Sequence, residues 1–116
     1  MMVPKILYQG QPGAVDTDLY VVPAGKKTTV TSIIAANTDA ATKYFTLHVV
    51  QNGDTVADDV VLCKMQKLDG TGSVGGGGFM AIEVPFPLTN VGDKISGVQE
   101  TATAVTVTII GFEEAV

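Results

Sequence analysis

The stretch TAVTVTIIGFE, residues 103 to 113, alternates aliphatic and hydroxyl side chains almost residue by residue. In an extended chain successive side chains point to opposite faces, so Val105, Val107 and Ile109 share one face and Thr106 and Thr108 the other. A helix would scatter the same residues around its axis, so this stretch buries an apolar face only as a strand. The same two-residue period runs through KYFTLHVV, residues 43 to 50. It directs Phe45, Leu47 and Val49 toward a core and Tyr44, Thr46 and His48 to the opposite face. Val, Ile and Thr make up nearly a third of the chain, and their branched side chains favour pleated strands over helices. No run with helical apolar spacing lasts three turns. The class is all-β.

Turn signals divide the chain into short segments at the spacing that sandwiches and barrels require. Strands are predicted over residues 4–9, 18–22, 26–37, 42–51, 56–66, 78–84, 94–98 and 103–113. These strands suit one antiparallel, jelly-roll-like β-sandwich, and 116 residues make one domain rather than two. Residues 1–13 read as an N-terminal arm or edge strand and residues 14–116 as the sandwich. Leu19 and Val21 are expected on one face of a short strand, with Tyr20 and Val22 on the other. VPAG, residues 22–25, makes a tight corner before Lys26 and Lys27, and Asn37 and Asp39 begin the next turn. Asn52-Gly53 is a strong hairpin signal, and Gly111 suggests a bulge or a close backbone approach. Two regions break the pattern: the Gly-rich stretch at residues 69–78, and residues 84–93, where Pro85 and Pro87 rule out a central strand. Both are candidate contact regions.

Charge and residue inventory narrow the function. The formal charge is −5 and there is no Arg, so neither a nucleic acid nor an anionic membrane is an expected partner. Charged residues are 16% of the chain, against about 25% in ordinary soluble domains, so the surface relies on small polar residues or on cover from another protein. Cys63 is the single cysteine, so no intrachain disulfide forms, which suits folding in a reducing cytoplasm. The N-terminus lacks the long apolar core of a signal peptide, and no window reaches the length of a membrane span.

Chemistry is harder to find. His48 is the single histidine, no serine sits in a nucleophile elbow, and a His48–Cys63 dyad is the one nucleophile pairing available. Asp58 with Asp59, or Asp16 with Asp18, offers oxygen ligands without a calcium-loop spacing. Gly25-Lys26-Lys27 lacks the Ser or Thr and the helix of a phosphate loop. Glu83 and Glu100 carry no feature that marks a carboxylate pair. The reading is a protein that is not an enzyme and holds no cofactor and no metal.

An N-terminal LYQGQP, then DLYVVPAGKKTTVTSIIAANT, the strand YFTLHVV, VGDKISG and a closing VTVTIIGFEE follow one another along the chain. Together they resemble small β-sandwich structural proteins of tailed bacteriophages, over roughly residues 7–113. The resemblance implies a virion component made in the host cytoplasm. Capsid decoration (cement) is the role it favours, with the protein on the shell exterior as a homo-oligomer, a homotrimer in the favoured form, against the major capsid protein. A neck, collar, tail or fibre-base position is the second reading, and a carbohydrate- or receptor-binding module the third. Against the third stand the absence of Trp and the presence of only Tyr8, Tyr20 and Tyr44. Candidate contact residues are Ile6, Leu7 and Tyr8 on the arm, Phe79 after the Gly-rich stretch, and Phe86 and Leu88 in the Pro-rich one. Tyr8 and Phe86 have a second reading, as caps on the ends of the core. The arm is a candidate clasp for a neighbour.

Overall fold

The computed structural model describes residues 4–55, 61–70, 78–83, 85–100 and 104–116. Among them the chain forms nine strands and no helix: β1 (Lys5–Gly10), β2 (Thr17–Val21), β3 (Lys26–Asn37), β4 (Lys43–Val50), β5 (Val61–Leu68), β6 (Phe79–Ile82), β7 (Phe86–Leu88), β8 (Lys94–Gln99) and β9 (Val105–Ala115). One antiparallel sheet runs β1-β9-β3-β6, with β7 also on β3, and the other runs β2-β8-β4-β5. The first strand lies beside the last and early strands alternate between sheets, which is jelly-roll connectivity. The short dimension of 20 Å is that of two sheets stacked about 10 Å apart.

The ninth strand corrects the expected eight. β7 pairs Phe86, Pro87 and Leu88 with Val30, Thr29 and Thr28. Pro87 has no N–H to give a ladder, and β7 tolerates it as a short edge strand. The expected strand from residue 56 is described only from Val61 onward, and the Asp58–Asp59 pair and most of the Gly-rich stretch lie outside the described residues.

Between the sheets, Ile33, Ala35, Val105, Val107 and Ile109 face Phe45, Leu47 and Ile95, all fully buried or nearly so. Each of the Val, Ile, Leu and Phe side chains among them contributes about 1.5–3 kcal/mol relative to exposure. The alternation read for β4 and β9 holds. Phe45 and Leu47 are in the core and Val49 packs against it, while Val105, Val107 and Ile109 point inward.

The alternation read for β2 fails at a bulge. Asp18 pairs with Ser96 and Tyr20 with Ile95, so Leu19 is an extra residue in the ladder. Leu19 and Tyr20 therefore both join the core, and Val21 is left exposed. β1 repeats the device. Ile6 pairs with Ile110 and Tyr8 with Ile109, so Leu7 is the extra residue and both Leu7 and Tyr8 pack inward. A third bulge, on β3 between Val30 and Ser32, faces Gly111 and Ile110 of β9. A Cβ on Gly111 would sit 2.3 Å from the Thr29 carbonyl oxygen and 3.1 Å from Leu7 Cδ1, so the glycine allows the close approach expected there.

Polar side chains finish the ladder ends. Gln99 is buried; its amide donates to the Pro12 and Val105 carbonyls at 2.7 and 3.1 Å and accepts from the Ala104 and Val105 amides. It joins the end of β8 to the start of β9 and anchors the segment after β1. The Asp93 carboxylate accepts from the Asn52 and Asn90 amides at 2.9 and 3.0 Å, tying two turns together. The Asn52-Gly53 turn is closed by the Asp54 amide, which donates to the Gln51 carbonyl at 2.9 Å. Positive φ occurs at Gly53 and not at Asn52, and among the described residues the β4–β5 pair nearest this turn is His48–Val61.

Candidate interaction surface

Most of the apolar contact candidates turn out to serve the fold. Leu88 is 2% exposed and belongs to the core, and Leu7, Tyr8 and Phe86 pack against it. The expectation that Leu7 and Leu88 lie open is corrected, and Tyr8 and Phe86 follow their second reading, packed against the core: β1 and β7 are paired strands, and these are the side chains they direct to the inner face. Ile6 and Phe79 remain open, at 57% and 72% exposure. The arm itself is an edge strand on β9 of its own chain, with Lys5 Nζ paired to the Glu113 carboxylate.

The titratable groups are drawn into the frame. Tyr20 reaches from β2 across the core, and its hydroxyl donates to the Glu113 carboxylate on β9. That uses its one proton, so the Thr28 hydroxyl is the donor in the 2.7 Å Thr28–Tyr20 contact. Burial first, and then the hydrogen bond to Glu113, push the Tyr20 hydroxyl up to about 12. Lys5, then Tyr20, hold the Glu113 carboxyl below its ordinary value. This chain of contacts joins β3, β2, β9 and β1.

The other candidates for chemistry are not gathered into one place. Cys63 packs against the core, where burial raises its thiol pKa, while His48, next in register, lies on the other face of β4. His48 Nδ1 is buried without a hydrogen-bond partner among the described residues, 3.9 Å from Asp16 Oδ1. Asp18 is 3.1 Å from Lys94 Nζ. No group of three His, Cys, Asp or Glu side chains suited to a metal ion occurs among the described residues. Glu83 and Glu100 are exposed. A recess of about 160 Å³ lies between Tyr44, Met65, Val98 and Glu100. Met65 there has φ 51, at the bulge where β5 spans extra residues against β4, and its amide donates to Thr46 Oγ1.

The two outer faces differ in charge. On the β2-β8-β4-β5 sheet the face away from the core carries the Asp18–Lys94 pair, and Lys67 lies across from Tyr44. On the other sheet the register sets Ile34 between Thr108 and Ala81, and Ala36 between Thr106 and Phe79. Ile6 and Ile110 continue this face toward the β1 edge, where Gln9 and Gln11 donate to the Thr108 and Thr106 hydroxyls. Within the strands the charged residues on this face are Lys27 and Glu114 at one end, 3.6 Å apart. Glu83 is exposed just past the end of β6. Thr, Ile, Ala and Phe cover the rest, and because every described strand belongs to one of the two sheets, no strand lies over them.

No family model matches the chain, and no curated protein matches it. A solved structure of Bacillus endospore appendages, described as a novel family of disulfide-linked pili, aligns with 100% of this chain and 89% of that chain. The identity is 13% and the TM-score 0.48, a likeness too slight to carry an argument about role.

Proposed function

We propose that the chain is a structural protein of a tailed-bacteriophage virion: a capsid decoration protein that binds the outer surface of the major capsid shell and stabilises it by protein–protein contact, as a homo-oligomer. The fold alone assigns no role, since jelly rolls serve many. The observation that supports the reading is the uneven surface: one sheet face carries the Asp18–Lys94 pair and Lys67, while the other has charge within its strands only at its Lys27–Glu114 end and keeps Ile6 and Phe79 in the open. Interface centres are depleted of charge in this way, whereas a face meant only for water gains nothing from it. The order of the LYQGQP, VPAGKK, VGDKISG and IIGFEE segments supports the virion setting through their resemblance to phage structural proteins. An acidic chain without Arg suits the outside of a shell better than its DNA-facing lining.

The test is the position and copy number of the chain in an intact particle, by electron cryo-microscopy. Many copies spread over the shell are expected. A few copies on the tail axis would replace decoration with a neck or collar role, and absence from the particle would overturn the virion reading.

A further inference from the structure

We infer that the uncharged outer face of the β1-β9-β3-β6 sheet is where the chain pairs with a second copy of itself, face to face about a two-fold axis. The inference deepens the adhesive reading above by naming the partner of that face, and it departs from the trimer that the family resemblance implies.

Two observations select a copy of the same chain as the occupant. The first is charge. The molecule carries −5 overall, so two copies repel wherever their charged surfaces meet. Facing this sheet to its own copy keeps the Asp18–Lys94 face and Lys67 pointing away from the contact. It asks the centre to desolvate hydroxyls that already have partners: Thr31 donates to the Ile110 carbonyl at 3.1 Å, and Thr108 and Thr106 accept from Gln9 and Gln11. A strongly basic partner would find no carboxylate row to bind here, because the one outward carboxylate within the strands, Glu114, is paired with Lys27.

The second is extent. Four strands about 4.8 Å apart and a usable ladder of about 30 Å give roughly 570 Å² per copy. Two such faces cover about 1,100 Å², just above the roughly 1,000 Å² that a specific interface needs, so the pair forms reversibly and at the small end of the range. An isologous contact repeats each residue, so Ile6, Phe79 and the Ile34 centre are each covered twice.

Sedimentation of the purified chain without particles tests this. The wild type is expected to show a concentration-dependent dimer. Ile34→Lys places an unpaired charge at the centre of the contact twice over and is expected to weaken dimerisation at least about 100-fold. Thr108→Lys, beside Ile34 in register, should do the same and keeps the test open if Ile34→Lys fails to fold. Val21→Lys, exposed on the other sheet, should leave the dimer intact. A wild type that stays monomeric at its solubility limit, or a dimer or trimer that persists in the folded face variants, overturns the inference. Particle binding scored separately keeps the two readings apart. A dimer that binds no particle refutes decoration alone, and a monomer that binds particles refutes the pairing alone.

Discussion

At the scale of single residues, the group that most links stability to pH is Tyr20 with Glu113. The Glu113 carboxyl is held below its ordinary 4.5, so its contribution is complete above 4.5 and is lost as pH falls through the lower folded value. The Tyr20 hydroxyl rises from 10.0 to about 12, so its contribution is complete below 10.0 and is lost as pH rises toward 12. Tyr20→Phe removes the donor to Glu113 and the acceptor for Thr28 together, and should cost about 1–3 kcal/mol near neutral pH. Thermal melts across pH should show the wild type and Tyr20→Phe converging at both extremes; a gap that stays constant would dissociate this contact from the pH response. Gly111→Ala tests packing instead. Its methyl would meet the Thr29 carbonyl backbone, which cannot yield without opening the β3–β9 ladder, so a loss of about 2 kcal/mol or more is expected in denaturant melts.

At the scale of elements, β1 is the strand whose role changes most between sequence and structure. A free arm could be removed without harm to the domain. As an edge strand, β1 supplies Leu7 and Tyr8 to the core and Lys5 to Glu113, and it covers the open edge of β9. Deleting residues 1–10 should therefore lower the melting temperature and promote aggregation through the bared edge, read by calorimetry and light scattering. A truncated chain that melts unchanged and stays soluble would restore the clasp. The sequence discloses β3 with its ends correct, because a long alternating run between a Pro-Ala-Gly corner and an Asn-Thr-Asp turn has no competing reading. It discloses the faces of β4 and β9, because the bulges in their ladders put the extra residue on the partner strand and leave their own alternation intact. It misplaces Leu19, setting it on the face of the exposed Val21, because a bulge is created by the partner strand and leaves no mark in the strand's own pattern. The proline in β7 hides that strand, and an edge position excuses it. Leu88 and Phe86 look like loop residues for the same reason.

At the scale of the whole molecule, the uncharged face is written in two separate runs of sequence. Residues 28–38 and 101–112, which hold most of the two longest strands, contain no Asp, Glu or Lys on either alternating set. Inward positions without charge are what any core strand requires; outward positions without charge are the anomaly. Only the pairing of β3 with β9 turns the two runs into one surface, and strand pairing is not local information. That surface leads to a prediction with a definite sign. Two copies at −5 repel through the solvent at their rims, while the contact itself has ion pairs only at its Lys27–Glu114 ends. Added salt shortens the screening length to about 8 Å at physiological strength and about 3 Å at 1 M, which removes the repulsion and leaves apolar contact untouched. Dimerisation measured across a sodium chloride series should therefore tighten as salt rises. An interface built from complementary charges would loosen over the same series, so a falling affinity would place the contact between copies on the charged sheet instead.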